Sequence, residues 1–222
     1  MMLDKAIYDI IKENLVDDEL PESFSLASYY EPKTGDKSVE VQYFDGAFDG
    51  ITLYHIGRSH VSEDSLLLID QLMHEVSDGD LDAAFLTLEL FSETNSAIGS
   101  IDEFEGYIMD NTDWIDPVNL YNFATECLTG ADVELVKFGF EIMEIFSEPS
   151  DGMKDFMRTL GLCEEFTLFL LFNIITNWRN ANSEIFAIAK KTHGWGRIHA
   201  VERLIPDDDE IKNWMIFEGI KK

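Results

Sequence analysis

The chain has 222 residues, 45% of them hydrophobic, which predicts a globular protein with a sizeable core rather than a disordered one. Its 44 acidic residues against 16 lysines and arginines give a formal net charge of −28, which argues against binding to nucleic acid or to anionic lipid. No apolar run reaches the roughly 18 residues of a membrane span, and the N-terminus lacks the pattern of a secretory signal. With two cysteines, Cys127 and Cys163, in apolar helical surroundings, we expect a cytoplasmic protein with free thiols.

The first 58 residues are predicted to form one helix followed by a small β-containing segment. Residues 3–15 place Ile7, Ile10, Ile11 and Leu15 at helical spacing. Three segments then alternate or are rich in β-branched and aromatic residues, namely "SFSLASYY", "SVEVQYF" and "ITLYHIG", with the turn clusters "PKTGDK" and "DGAFDG" between them. This pattern predicts two or three antiparallel strands, and residues 1–58 are taken as the first domain.

Residues 59–222 have helical periodicity and are taken as an α-helical repeat domain. Four predicted helix–turn–helix pairs have a glycine at the turn, Gly79, Gly130, Gly161 and Gly194, and the last three glycines follow each other at intervals of 31 and 33 residues. A short helix around 101–109 accounts for the longer first interval. A period of 30–40 residues predicts an α-solenoid of the HEAT or armadillo kind, in which stacked hairpins bury one another's apolar faces. The second helix of each pair is expected to be the more buried one.

The C-terminal region resembles a known family. The stretches "EEFTLFLLFNIITNW", "EIFAIAKKTHGWGRIHAVERL" and "EIKNWMIFEG", which span about the last 60 residues, are similar to a family of bacterial helical-repeat proteins that sometimes carry the label "limonene hydroxylase". The resemblance implies a HEAT-like helical-repeat fold. It supplies no catalytic residues.

The hydroxylase label finds no support in the residues themselves. No histidine has a glutamate three positions before it, as a di-iron bundle would need. "GWGRIH" has His199 where a dinucleotide-binding loop needs its third glycine, and no Gly-x-Ser-x-Gly motif occurs. His55, His60 and Asp64 could supply a facial triad, but their spacing is unspecific. We therefore predict no catalytic residue, no cofactor and no metal site.

The negative charge is concentrated in one region. Residues 59–136 contain 18 aspartates and glutamates and not a single lysine or arginine. Such a field attracts basic partners and speeds their association. Solubility or adaptation to salt would also account for it.

The stretch "KKTHGWGRIHAVERL", from Lys190 to Leu204, raises a second possibility for a site. Its simplest interpretation is a corner between two helices, in which Ile198, Val201 and Ile205 face the core and the arginines pair with acidic residues. Alternatively, tryptophan and arginine are typical interface anchors, and the stretch would then line a ligand- or partner-binding surface. The residues of that surface would be Arg179, Trp195, Arg197, His199 and Arg203.

Three functions remain open from the sequence. The leading prediction is a non-catalytic protein–protein interaction module with an acidic surface for a basic protein partner, in concrete form an immunity or antitoxin-like protein. The second is a structural or regulatory scaffold whose acidity is incidental. The third is an enzyme of unknown type.

Overall fold

The computed structural model describes residues 5–29, 43–57 and 61–219, and in these residues the protein is mainly α-helical without any strand. The α-helices are α1 (Ile7–Glu13), α2 (Ala47–Ile51), α3 (Glu63–Asp78), α4 (Leu81–Ser92), α5 (Ala97–Asp110), α6 (Pro117–Leu128), α7 (Val133–Ile145), α8 (Asp151–Gly161), α9 (Glu164–Asn177), α10 (Ala181–Lys191), α11 (Gly194–Arg203) and α12 (Asp209–Phe217). A 3₁₀ turn covers Leu26–Tyr29 and a π-helical turn covers Thr52–Ile56. No helix of the described residues is both long enough and apolar enough to cross a bilayer.

The predicted strands are wrong wherever the structure describes them. The first lies where the 3₁₀ turn forms, the third becomes the π-helical turn, and the expected turn "DGAFDG" contributes α2. A hydrogen bond from a residue distant in sequence accompanies the first change. The backbone N–H of Leu26 donates to Asp45 Oδ2 at 2.7 Å, so an acidic side chain takes the donor that a neighbouring strand would otherwise use. Most of the second predicted strand, residues 38–42, lies outside the described residues.

The contacts divide the chain into two compact units. The first combines both ends of the chain, residues up to 51 and from 148 onward, and the second consists of residues 52–147. The sequence predicts one boundary between residues 58 and 59, whereas these contacts place boundaries after residues 51 and 147.

The four helical hairpins lie where the glycines predict them. Gly79 follows α3 with a φ of 77°, Gly130 lies between α6 and α7, Gly161 ends α8, and Gly194 begins α11. The two helices on either side of each glycine pack against each other. The inserted helix is α5, which at 14 residues is longer than expected.

The core of the second unit is built around aromatic rings. Phe138 of α7 packs against Phe91 of α4 and Phe104 of α5, with centroid distances of 5.7 and 5.0 Å, and all three rings are fully buried. Aspartates and serines cap these helices: Asp80, for example, accepts a hydrogen bond from the backbone N–H of Ala83 in the first turn of α4. Some of the acidic residues of this unit therefore act as N-terminal caps of its helices.

The core of the first unit is centred on α9, which contacts α8, α10 and α11. Its buried residues form a nearly continuous apolar run from Phe166 to Ile174, as expected for the second helix of a pair. At the N-terminal end of the chain, α1 buries Ile7, Ile10 and Ile11, which confirms the predicted apolar face, and its Tyr8 ring stacks on Phe156 of α8 at 4.1 Å.

Candidate interaction sites

The first candidate region is the turn between α10 and α11, which meets the start of α9. Glu164, the first residue of α9, accepts a hydrogen bond from the backbone N–H of Trp195 at 2.8 Å. Gly194, the first residue of α11, has a φ of 47°, and a Cβ built on it would collide with the Glu164 carboxylate. Only glycine fits this position without strain, so the "HGWG" sequence is explained by local geometry.

The neighbouring carboxylates also hold backbone groups from the N-terminal part of the chain. Glu165 accepts a hydrogen bond from the Gly46 N–H at 2.7 Å, just before α2 begins. Burial raises the pKa values of Asp45 and Glu164, and the negative charge of Glu165 raises both further. Through their hydrogen bonds to Trp195 and Gly46, Glu164 and Glu165 hold α11 and the start of α2 against the start of α9.

Two aromatic side chains complete this cluster from α11. The Trp195 ring is tilted against His199, with 5.7 Å between centroids, and both rings lie against Gly50 of α2 so closely that a Cβ there would collide with them. His199 is completely buried. Burial, reinforced by the positive charge of Arg203, lowers the His199 pKa to about 4, while a hydrogen bond to the Gly46 backbone opposes the shift. The imidazole is therefore neutral at pH 7 and packs as part of the core.

The sequence-based assignment of the faces of α11 is wrong. Ile198 and Ile205, expected in the core, are exposed, whereas Gly196, His199 and Ala200 are buried. The reason is steric where α11 approaches α9: Thr167 and Glu164 lie too near Gly196 to leave room for a side chain.

The five residues predicted to bind a partner do not form one open surface. Arg179 is the most exposed of them and pairs with Glu148 at 3.1 Å. The Arg197 guanidinium lies over the Trp214 ring at 5.9 Å and donates to the Thr192 carbonyl oxygen.

The other three of the five pack against neighbouring parts of the first unit; His199 is fully buried, whereas Trp195 and Arg203 are half-buried. Trp195 and His199 pack on α2, as described above. Arg203 lies over the Phe172 ring at 5.2 Å and donates to the carbonyl oxygen of His199 at 3.1 Å.

The two thiols lie in the interior of the protein. Cys127 and Cys163 are free and fully buried, and desolvation raises the pKa of each, so both are protonated at neutral pH. Within the described ranges, no three His, Cys, Asp or Glu side chains are grouped closely enough to hold a metal ion. His60 of the possible facial triad lies outside those ranges.

A cleft of about 480 Å³ opens beside α8 and α10 in the first unit. Arg158 on its wall makes two hydrogen bonds to Glu184, of 3.0 and 2.9 Å, and a third to Asp155 at 2.6 Å. Burial alone would lower the Arg158 pKa, but these two carboxylates outweigh it and raise it. The positive charge of Arg158 is thus already paired with carboxylates of the protein itself.

The second candidate region is the acidic surface of the second unit. From residue 59 to 147 the sequence has one cation, Lys137, and its side chain is buried beside Glu134, with 3.1 Å between Nζ and Oε1. Many carboxylates of α3–α6 and their connections are exposed: Glu63, Asp64, Asp78, Asp80, Asp82, Glu93, Asp102, Asp110, Asp113, Asp116 and Glu126. The surface of this unit is therefore strongly negative, with no exposed lysine or arginine between residues 61 and 147.

Sequence reasoning missed an apolar feature on this acidic surface. Leu67 of α3 and Leu86 and Leu90 of α4 are 67%, 68% and 51% exposed. A groove of about 440 Å³ between these helices is lined by Asp64, Leu68, Leu90 and Glu93, together with Ser62, Ser65, Thr94 and Asn95. The sequence of α4, "LDAAFLTLELFS", could have indicated this feature. Its apolar residues occur all around the helix, whereas packing against one core needs them on one side only.

Comparison of the chain with protein-family models, with curated proteins and with solved structures gives no match. The function is therefore argued from the two regions described above.

Proposed function

We propose that this protein is a non-catalytic protein–protein interaction module whose acidic surface binds a basic protein partner. The observation that carries the proposal is the second unit, in which exposed carboxylates are not balanced by any exposed lysine or arginine among its described residues 61–147. In its most concrete form the module is an immunity or antitoxin-like protein that neutralises a basic toxin.

The physical basis of the proposal is long-range electrostatics. A surface of one sign of charge raises the local concentration of oppositely charged partners and speeds their encounter, and this effect is screened by salt over roughly 10 Å at 0.1 M. Mutual repulsion among the carboxylates also costs the folded unit stability, which a bound basic partner would relieve.

We further propose that the hairpins form a HEAT- or armadillo-like solenoid. The repeated hairpins with glycine at their turns support this, as does the resemblance of the last 60 or so residues to bacterial helical-repeat proteins. Solenoids of this kind commonly present extended binding surfaces.

The test compares two variants that change the net charge equally. The first carries lysine at three exposed acidic positions at the C-terminal ends of α5 and α6 or in the turn after α5, where a positive charge suits the helix dipole. These positions are Asp110, Asp113 and Glu126. The matched control carries lysine at three exposed acidic positions of the first unit, which are Glu19, Glu202 and Asp207.

Each protein is immobilised and exposed to extract of its native host, and the captured proteins are identified by mass spectrometry. We expect a basic protein to be held at about 0.05 M salt and released at about 0.5 M salt, where the Debye length is only a few ångström. The first variant should lose this protein and the control should retain it. Equal capture by both variants at both salt concentrations would contradict the proposal and favour a scaffold with incidental acidity.

A further inference from the structure

We propose that the groove between α3 and α4 binds one amphipathic, basic helix of the partner, with leucines in the groove and lysines or arginines over its acidic rim. This inference rests on the proposed function and adds to it the contact site and the kind of segment that is bound.

The apolar residues of the groove lie on the outer side of the α3–α4 hairpin. The core sides of the two helices are occupied by other residues, such as Leu72 and Leu88, which are fully buried. Leu86 and Leu90 are four residues apart and therefore lie one above the other on α4. Two exposed leucines in this relation form a ridge against which a second helix can pack.

A hydrogen bond between the two helices places α3 alongside this ridge. Gln71 Nε2 of α3 donates to Thr87 Oγ1 of α4 at 3.2 Å. Because the hairpin is antiparallel, Leu67, four residues before Gln71, lies near the level of Leu90, three residues after Thr87. Leu68 and Leu90 line the same groove. Leu86 and Leu90 thus form an apolar strip on α4 that continues into the groove at Leu90.

Two negatively charged side chains lie at the rim of this strip. Asp64 from the first turn of α3 and Glu93 from the end of α4 both line the groove. No lysine or arginine occurs between residues 59 and 136 to neutralise them. Phosphate and anionic lipid are repelled by such a rim, whereas a helix with leucines on one face and lysines beside them matches both the apolar strip and the charge.

Single exposed leucines are common on protein surfaces, but this arrangement differs from a scattered set. Four of the large exposed apolar residues of the second unit, Leu66, Leu67, Leu86 and Leu90, occur on one hairpin, and Leu86 and Leu90 are spaced as a helix-binding ridge requires. Helix-in-groove recognition uses anchors at such i, i+3 and i+4 positions.

The experiment uses two synthetic peptides of identical composition, each made of leucines and lysines. In one peptide the leucines recur at i, i+3, i+4 and i+7, which gives an amphipathic helix, and in the other they are scattered around the helix. Binding to the full-length protein is measured by calorimetry. We expect the amphipathic peptide to bind about tenfold more tightly, because only it can bury its leucines in the groove.

Two pairs of substitutions locate the site. Leu86→Ser with Leu90→Ser should weaken binding of the amphipathic peptide about tenfold and leave the scattered peptide unchanged. The matched control is Met109→Ser with Val118→Ser, at positions that are 58% and 66% exposed on α5 and α6 of the same unit, and it should bind as the unchanged protein does. Circular dichroism melts establish that both variants remain folded.

The outcomes separate this inference from the proposed function. If both peptides bind equally and the leucine substitutions have no effect, the groove is not the site, although salt-sensitive binding that is lost on reversal of Asp110, Asp113 and Glu126 would still support the acidic module. If neither peptide binds, the groove is overturned, whereas the acidic module is overturned only if the capture of a basic protein from extract shows no salt dependence.

Discussion

Glu164 Oε2, at the start of α9, lies 2.8 Å from the backbone nitrogen of Trp195 and accepts its hydrogen bond. His193, which precedes α11, gives that helix no side-chain cap, so a carboxylate from another helix performs this role. We expect Glu164→Ala to lower the free energy of unfolding by about 1–2 kcal/mol, because buried N–H groups lose their acceptor. Glu164→Gln should cost less, since its amide oxygen can accept the same bond. Urea unfolding of both variants measures the difference, and equal losses would show that the charge matters more than the hydrogen bond.

Gly194 provides a second test of the same junction. Gly194→Ala should destabilise the protein by about 1–3 kcal/mol, because its φ of 47° is unfavourable for a side chain and the new Cβ would meet Glu164. Combining it with Glu164→Ala should cost less than the sum of the two single changes, since the collision disappears and only the backbone strain remains. A double-mutant cycle in urea measures this coupling, and strict additivity would show that the two residues do not interact.

His199 should make the protein sensitive to acid. Its pKa is about 4 in the folded protein and near 6.5 when unfolded, so between these values the unfolded state binds the extra proton. The contribution of His199 is thus fully present above pH 6.5 and is lost as the pH falls towards 4, to a total of about 3 kcal/mol.

The matched variant for this test is His199→Gln, which does not titrate. The stability of the unchanged protein relative to this variant should decrease from pH 7 to pH 4, whereas the raised pKa values of Asp45 and Glu164 affect both proteins alike. Chemical unfolding at several pH values measures the difference. A difference that stays constant with pH would contradict the buried, neutral imidazole.

Lysine should not fully replace Arg158 in its contact with Glu184. The guanidinium makes two parallel hydrogen bonds to Glu184 and so joins α8 to α10. Because both side chains are partly exposed, we expect Arg158→Lys to cost only about 1 kcal/mol, from the loss of the paired geometry. Thermal unfolding in low and high salt tests this, and a loss that salt abolishes entirely would indicate simple charge attraction.

Substitutions of Phe138 and Leu86 in the second unit should have very different effects on stability. Phe138→Ala should destabilise the protein by about 3–5 kcal/mol, because it removes a ring packed between Phe91 and Phe104 and leaves a cavity. Leu86→Ala should change stability by less than about 0.5 kcal/mol, since its side chain is mostly exposed. Urea unfolding of the two variants measures both values. A large loss at Leu86 would show that this leucine supports the fold instead of remaining available for a partner.

The sequence by itself determined the helical class and the positions of the hairpins. A glycine after a helix, as at Gly79, acts through local backbone geometry and hydrogen bonds. For this reason the structure confirms the hairpin positions closely. The sequence also predicted that Cys127 and Cys163 are free thiols, and the structure places both in the core.

Only the tertiary structure decided which side of each helix faces inward and which of the short N-terminal segments are helical. Ile198 has the side chain of a core residue but is exposed, because α11 turns the face with Gly196 towards α9 at close range. Likewise, residues 52–56 have β-branched and aromatic side chains but form a π-helical turn. Local patterns report what a segment can bury, while burial itself depends on surfaces distant in sequence. The groove lined by Leu68 and Leu90 could be recognised only once α3 and α4 were packed together.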